Sequence, residues 1–165
     1  MTSIHAPSRR PVLLAPGQGE ARWLGGHLID WKLHGRDSAG QLAAVETVIP
    51  RGQEPPLHVH EHDDELFYVL EGTVTFICGD ERSTGGPGST AFLPRGVPHT
   101  LRVETETVRV LVVMAPCGPA PYFETLSVPA TSRSLPDEPA HLDPAAVEAA
   151  LAEVGVRVVG PPPGR

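Results

Sequence analysis

One stretch of the chain, residues 52–72, constrains the fold and the chemistry more than any other. It contains His58 and His60, and Glu65 follows five residues after His60. Side chains two residues apart point to the same face of an extended strand, so the two imidazoles are expected to face one side. Two imidazoles and one carboxylate form a facial ligand set for a divalent transition metal. The stretch therefore predicts a metal site built on β-strands, with His99 as a fourth candidate ligand.

The distribution of turn-forming residues predicts an all-β fold. The chain has 17 glycines and 19 prolines among 165 residues, and they separate short apolar runs. Strands at roughly 8–12-residue spacing with such turns are typical of a β-sandwich or a closed barrel. The chain shows no alternation of strands and helices. We expect a barrel over residues 21–130, preceded by an N-terminal arm over residues 1–20 in which a strand could start near Val12.

The chain changes in character after Pro129. Residues 131–165 are predicted to form a linker and a short C-terminal helical tail. Asp143 is the expected N-cap, Pro144 occupies the first helical position and Gly155 ends the helix. A packing role is the favoured interpretation of this tail, and it is assigned no chemistry.

The charge balance excludes several classes of partner. A net charge of −7, with a single lysine (Lys32) and scattered arginines, disfavours nucleic acid and anionic membrane surfaces.

Cys78 and Cys117 form no CxxC motif, so zinc-finger and thioredoxin interpretations fail. We see no signal peptide and no stretch long enough to span a bilayer, and we expect a soluble, cytoplasmic protein.

Two motifs in the chain resemble those of the cupin family. The first motif is matched at each defined position by Gly52, His58, His60, Glu65 and Gly72, and the second by Gly88, Pro94, Gly96 and His99. The resemblance covers roughly residues 40–115. It implies a double-stranded β-helix, or jelly-roll barrel, with the site in its interior. One departure is Val103, which stands where the family often has Asn and bears on the pocket lining.

The resemblance implies four metal ligands, His58, His60, Glu65 and His99. They would hold one divalent transition metal per chain, and Fe(II), Ni, Mn, Co and Zn all suit this set. His62 is interpreted as a rim residue rather than a fifth ligand. Asp63 and Asp64 are expected to be solvated turn residues, with Asp64 as the one able to orient a ligand.

The rest of the pocket is expected to be apolar. The candidate lining residues are Phe67, Val69, Phe76, Phe92, Leu101, Val103, Val110, Val112 and Met114. About half of them are expected to face outward or into plain core. An apolar barrel around such an ion suits a small planar substrate that carries an enol or catechol-like oxygen.

Three functions remain open at this point. The chain looks like the quercetin-dioxygenase-like cupins, which implies a dioxygenase for a small planar enol or a flavonol-like, aromatic substrate. In that group dioxygen is a co-substrate and the position of Glu65 is both a ligand and the catalytic proton acceptor. The first alternative is a metal-dependent polyketide cyclase or isomerase of secondary metabolism. The second is a non-enzymatic cupin that binds a small molecule. Family resemblance also predicts a homodimer.

Overall fold

The structure, a computed structural model, describes residues 9–164. Over that range the chain forms twelve β-strands and two α-helices. The strands are β1 (Glu20–Leu24), β2 (His27–Leu33), β3 (Ala43–Pro50), β4 (Leu57–His60), β5 (Asp64–Glu71), β6 (Val74–Cys78), β7 (Glu81–Gly85), β8 (Thr90–Leu93), β9 (His99–Val103), β10 (Thr107–Ala115), β11 (Val128–Pro129) and β12 (Val156–Gly160). The helices are α1 (Ala120–Leu126) and α2 (Pro144–Glu153).

The strands form two antiparallel sheets. The order in the seven-stranded sheet is β11-β1-β2-β3-β10-β5-β8, and in the five-stranded sheet it is β12-β4-β9-β6-β7. Some strands that are neighbours in a sheet, such as β3 and β10, are far apart in sequence. The chain therefore makes crossover connections. The predicted all-β, double-stranded β-helix barrel is confirmed.

Alternating side chains build the interior of the barrel. Along β10, Val108, Val110, Val112 and Met114 are buried while the residues between them are half-buried. Period-2 alternation places every second side chain on one face of a strand, so this face belongs to the core. Apolar residues of both sheets join one buried cluster. The barrel therefore has a single hydrophobic interior from which its polar site opens.

The N-terminal region differs from expectation. No strand starts near Val12; residues 11–15 have no regular structure, and Leu13 is 93% exposed. The segment begins with Pro11 and is followed by Pro16, and proline has no amide hydrogen to donate to a sheet. Residues 1–8 of the predicted arm lie outside the described residues, and the division into arm, barrel and tail stays a prediction.

The C-terminal region contributes directly to the barrel. Helix α2 begins at Pro144 as predicted, and the Asp143 side chain accepts a hydrogen bond from the Ala145 amide at 3.2 Å. Strand β12 then pairs with β4, with Val156 opposite His60. Helix α1 was not predicted. Neither helix has the length and apolar character needed to cross a membrane, as judged over the described residues.

Candidate metal centre

Three strands, two from the five-stranded sheet and one from the seven-stranded sheet, bring the predicted ligands together. His58 and His60 lie on β4, Glu65 lies on β5, and His99 lies on β9 directly opposite His58. One candidate ligand atom from each of the four residues lies within 4.8 Å of the others. His60, Glu65 and His99 are buried, and His58 is half-buried.

Backbone and carboxylate oxygens fix the orientation of all three imidazoles. His58 donates from Nδ1 to the carbonyl of Pro56 at 2.7 Å, and His99 donates from Nδ1 to the carbonyl of Val97 at 2.9 Å. His60 donates from Nδ1 to Oδ2 of Asp63. Because these oxygens only accept, each Nδ1 carries the proton and each Nε2 keeps a free lone pair. The three free lone pairs belong to the same buried cluster.

The cluster leaves a polar atom unsatisfied. His99 Nε2 is buried without a hydrogen-bond partner among the described residues, and it lies 3.4 Å from Glu65 Oε2. His60 Nε2 lies 3.9 Å from the same oxygen. A buried polar atom without a partner is rare in folded proteins and indicates a missing one. The His-His-Glu-His group therefore fits, and could hold, a divalent metal ion.

The electrostatics favour the ligating protonation states of His58 and Glu65. Burial lowers the pKa of His58 to about 4, despite the opposing charge of Glu65. Burial would raise the pKa of Glu65, but close contact with His99 and the charges of the other imidazoles outweigh it and lower that pKa. Burial would likewise lower the pKa of His60, but Asp63 and Glu65 outweigh it and raise that pKa. Glu65 is therefore a carboxylate and His58 a neutral imidazole at neutral pH.

The two aspartates before Glu65 differ from expectation. Asp63 is fully buried rather than solvated, because its carboxylate points inward to His60. Asp64 instead forms an ion pair with Arg95, with Nη2 to Oδ2 at 2.8 Å, and this arginine lowers the pKa of Asp64 to about 2. Asp63, rather than Asp64, therefore orients a candidate ligand, His60. The side chain of His62 is 71% exposed, away from the cluster.

A narrow apolar cavity opens from the cluster. Its volume is about 130 Å³. Its lining consists of Leu24, His27, Val45, Thr47, Ile49, Pro55, Pro56, His58, His60, Glu65, Phe67, Leu101, Val112, Pro119, Tyr122, Phe123, Leu151 and Val156. Among these residues Glu65 is the one carboxylate, and none is lysine or arginine. Burial raises the pKa of Tyr122, so its phenol stays protonated.

The structure divides the nine predicted pocket residues into three groups. Phe67, Leu101 and Val112 line the cavity. Five are buried in the surrounding core: Val69, Phe76, Val103, Val110 and Met114. Phe92 is 61% exposed, because its neighbour Leu93 takes the inward position on β8.

Sequence reasoning missed the part of the lining that comes from outside the two motifs. Tyr122 and Phe123 come from α1, while Leu151 and Val156 come from the C-terminal region. Leu151 belongs to the tail helix, for which the sequence indicated packing rather than a site. His27 and Thr47, on β2 and β3, were also missed.

Comparison with known proteins assigns the family. The family model of the cupin domain matches residues 44–114, which include all four candidate ligands. The chain belongs to the cupin family. This cupin is 28% identical over 129 residues to the quercetin 2,3-dioxygenase of Bacillus subtilis (strain 168). The match covers 78% of this cupin but 38% of that relative, so the chain spans well under half of its length.

Two further proteins are similar to this chain. This cupin is 36% identical over 84 residues to an uncharacterized protein of Streptomyces coelicolor, covering 51% of this chain and 75% of that protein. An RmlC-like cupin from Shewanella frigidimarina, known from its crystal structure, has a TM-score of 0.56 and 20% identity to this cupin. That match covers 67% of this chain and 95% of the other, and it supports the fold.

Proposed function

We propose that this cupin is a metal-dependent dioxygenase that acts on a small planar enol or aromatic substrate, similar to quercetin 2,3-dioxygenase. The observation that carries the proposal is a largely buried His-His-Glu-His group that opens into an apolar cavity, with no lysine or arginine among the described residues that line it. Such a cavity suits an uncharged, mostly apolar molecule with one oxygen directed at the cluster. The similarity to the Bacillus subtilis enzyme supports the same reaction class.

Each residue of the group has a defined role in this proposal. His58, His60, Glu65 and His99 would hold the ion, and Asp63 keeps His60 in the ligating tautomer. A bound Fe(II), Ni, Mn, Co or Zn ion would supply a binding position for the substrate oxygen and, in oxidative chemistry, for dioxygen. Glu65 is the candidate proton acceptor, because it is the one carboxylate in the lining. Phe67, Leu101 and Val112 exclude water from the substrate.

The size of the cavity favours single-ring substrates over a complete flavonol. A cavity of roughly 150 Å³ lined by apolar side chains can hold one benzene molecule. The cavity here, at about 130 Å³, is of similar size. A three-ring flavonol would have to leave two of its rings outside the barrel or displace α1. We therefore expect a catechol-like or enolic ring to react in preference to quercetin.

The test combines metal analysis with oxygen consumption. We expect about one transition-metal ion per chain and oxygen uptake that depends on an added enol or catechol, both lost in a variant that carries His58→Ala and His99→Ala. An exposed-site variant, His62→Ala, serves as the control and should retain both. Metal binding that survives loss of both His58 and His99 would show that the site assignment is wrong.

The same measurements separate the two alternatives. A rearranged product without oxygen uptake would indicate a cyclase or isomerase, in which a bound metal acts as a Lewis acid. Saturable binding without any turnover would indicate a small-molecule-binding cupin. We also expect the protein to be a cytoplasmic homodimer.

A further inference from the structure

Two polar side chains line the cavity from strands that carry none of the candidate ligands. His27 belongs to β2 and Thr47 to the adjacent β3. Thr47 pairs directly with Ile29, so His27 is its diagonal neighbour on the same face of the sheet. The candidate ligands lie on β4, β5 and β9 instead. The cavity thus has polar groups on two separate parts of its wall.

The hydrogen bond of His27 defines what its ring offers to the cavity. Nε2 lies 2.6 Å from the backbone oxygen of Gln53, which can only accept, so Nε2 carries the proton. Nδ1 is then an acceptor, and it has no hydrogen-bond partner within residues 9–164. Burial lowers the pKa of His27, which keeps the ring neutral at neutral pH. His27 therefore presents an unused acceptor.

Thr47 offers the complementary group. The residue is 9% exposed, and its hydroxyl makes no hydrogen bond to any other described residue. A hydroxyl both donates and accepts. Polar groups that keep unused hydrogen-bonding capacity in an apolar cavity favour a ligand that supplies the missing partner.

We propose that His27 and Thr47 form a second polar subsite that binds a hydroxyl group of the ligand, at a position separate from the His-His-Glu-His group. The substrate class that fits is a single ring with two oxygen substituents, one directed at each polar part of the wall. The inference rests on the proposed function for the oxygen directed at the metal group. It goes beyond that function by assigning the determinants of specificity.

His27 also has a plain structural role that the test must separate from binding. Through Nε2 it holds the backbone of Gln53, which lies in the loop that precedes β4. A variant of His27 could therefore alter the loop rather than the subsite. Thr47→Val avoids this problem, because it removes the hydroxyl while keeping the shape of the side chain. Thr47→Ser is its matched control, because it keeps the hydroxyl.

The experiment measures dissociation constants of the metal-loaded protein without oxygen, using phenol, catechol, resorcinol and hydroquinone. A site that uses a hydroxyl discriminates strongly against the analogue that lacks it. We expect at least one dihydroxybenzene to bind about tenfold more tightly than phenol, which corresponds to one ordinary hydrogen-bonding interaction. This ratio should fall to near one in Thr47→Val and His27→Phe and persist in Thr47→Ser.

Three outcomes would overturn the subsite. They are equal binding of all four compounds by the unaltered protein, a ratio unchanged in Thr47→Val, and a ratio abolished by Tyr122→Phe alone. The second outcome is the one expected if catechol binds tightly because both of its oxygens contact the metal rather than the subsite. Because binding is measured without turnover, the result does not depend on the reaction. A preserved ratio in a protein that consumes no oxygen would reject the dioxygenase and leave the subsite standing.

Discussion

At the scale of single residues, the candidate metal centre depends on a carboxylate that does not reach the cluster itself. Asp63 is fully buried and accepts the Nδ1 proton of His60. Its second oxygen, Oδ1, has no hydrogen-bond partner among the described residues. A β-carbon added at Gly118 would lie 2.5 Å from that oxygen, so the glycine leaves the space that Asp63 occupies. The orientation of His60 therefore depends on a residue more than fifty positions away in sequence.

Substituting Asp63 by Asn should weaken metal binding without removing a ligand. The amide is a weaker acceptor than the carboxylate and stabilises the ligating tautomer of His60 less well. Loss of such supporting contacts typically lowers metal affinity by about 10–100-fold. Competition with a chelator of known affinity measures the change. His62→Gln is the matched control on the exposed side of the same loop, and equal affinities in the two variants would contradict the role of Asp63.

The ion pair between Asp64 and Arg95 should make the stability of the fold depend on pH in the acidic range. The pKa of Asp64 is about 2 in the folded protein, below its usual value of about 4. A carboxyl group whose pKa is lowered on folding stabilises the fold at pH values above its pKa in the unfolded chain. That stabilisation is lost as pH falls from about 4 towards 2. Both side chains are partly exposed, so we expect a small effect that high salt weakens.

Urea denaturation of the metal-free protein at pH 5 and pH 3 tests this dependence. Asp64→Asn should lose less stability between the two pH values than the unaltered protein does. Glu61→Gln, an exposed neighbour, supplies the control for general charge effects. An identical loss in all three proteins would contradict a contribution from the ion pair.

At the scale of secondary-structure elements, the C-terminal region supports the strand that carries two candidate ligands. Strand β4 has four residues and lies between β9 and β12 in its sheet. Without β12, it would be an edge strand with unpaired backbone groups. Helix α2 precedes β12 and places Leu151 in the cavity lining. The segment that the sequence indicated as a packing tail thus reaches the site.

Removing residues 141–165 should destabilise the barrel and weaken metal binding together. The deletion takes away the partner of β4 and the cavity contacts of Leu151 and Val156. We expect the melting temperature to fall by at least about 5 °C, since losing even about 1 kcal/mol shifts a domain of this size by a few degrees. Deletion of residues 162–165 alone is the control. A truncated protein that binds metal with unchanged affinity would show that β4 is ordered without β12.

The proximity of the four candidate ligands could be expected from the sequence, because the two cupin-like motifs carry all four residues. The separation of His58 from His60 by one residue and the position of His99 at a strand start are visible without a structure. The burial of Asp63 was not predictable from this chain alone, because a turn carboxylate is usually solvated and its inward direction is set by the loop. Helix α1 was also missed, since it is seven residues long and Pro119 and Pro121 frame its start.

The lining of the cavity was predictable to a smaller extent for a different reason. Period-2 alternation correctly indicates which strand positions face inward, but it does not distinguish the core from the cavity. Val110 and Val112 share one face of β10, yet Val112 alone lines the cavity. That difference is set by elements such as α1 that pack across the barrel, and their positions depend on tertiary contacts rather than on local sequence.

At the scale of the whole molecule, one sheet ends in an apolar outer face. Leu66 and Phe92 are direct partners on β5 and β8, and Tyr68 follows on β5. All three are more than 40% exposed, and β8 lies at the edge of the seven-stranded sheet. We name these three residues the β5–β8 patch. An exposed apolar group on an edge strand is a common site of self-association.

The expected homodimer should depend on the β5–β8 patch. Phe92→Glu places a charge at its most exposed position and should shift the protein towards the monomer, because burying an unpaired charge in an interface is unfavourable. Sedimentation equilibrium measures the change. Val159→Glu, on the exposed part of β12, is the matched control and should leave the dimer intact. A dimer that tolerates Phe92→Glu would place its interface elsewhere.

The candidate metal ligands and much of the apolar lining of the cavity come from separate parts of the chain. All candidate ligands fall between His58 and His99, whereas Pro119, Tyr122, Phe123, Leu151 and Val156 follow the last of them. Substitutions at these five later positions can reshape the cavity without altering a candidate ligand. Protein engineering therefore has a route to change the ligand that the cavity accepts through substitutions confined to the C-terminal third of the chain, with the candidate metal centre left unaltered.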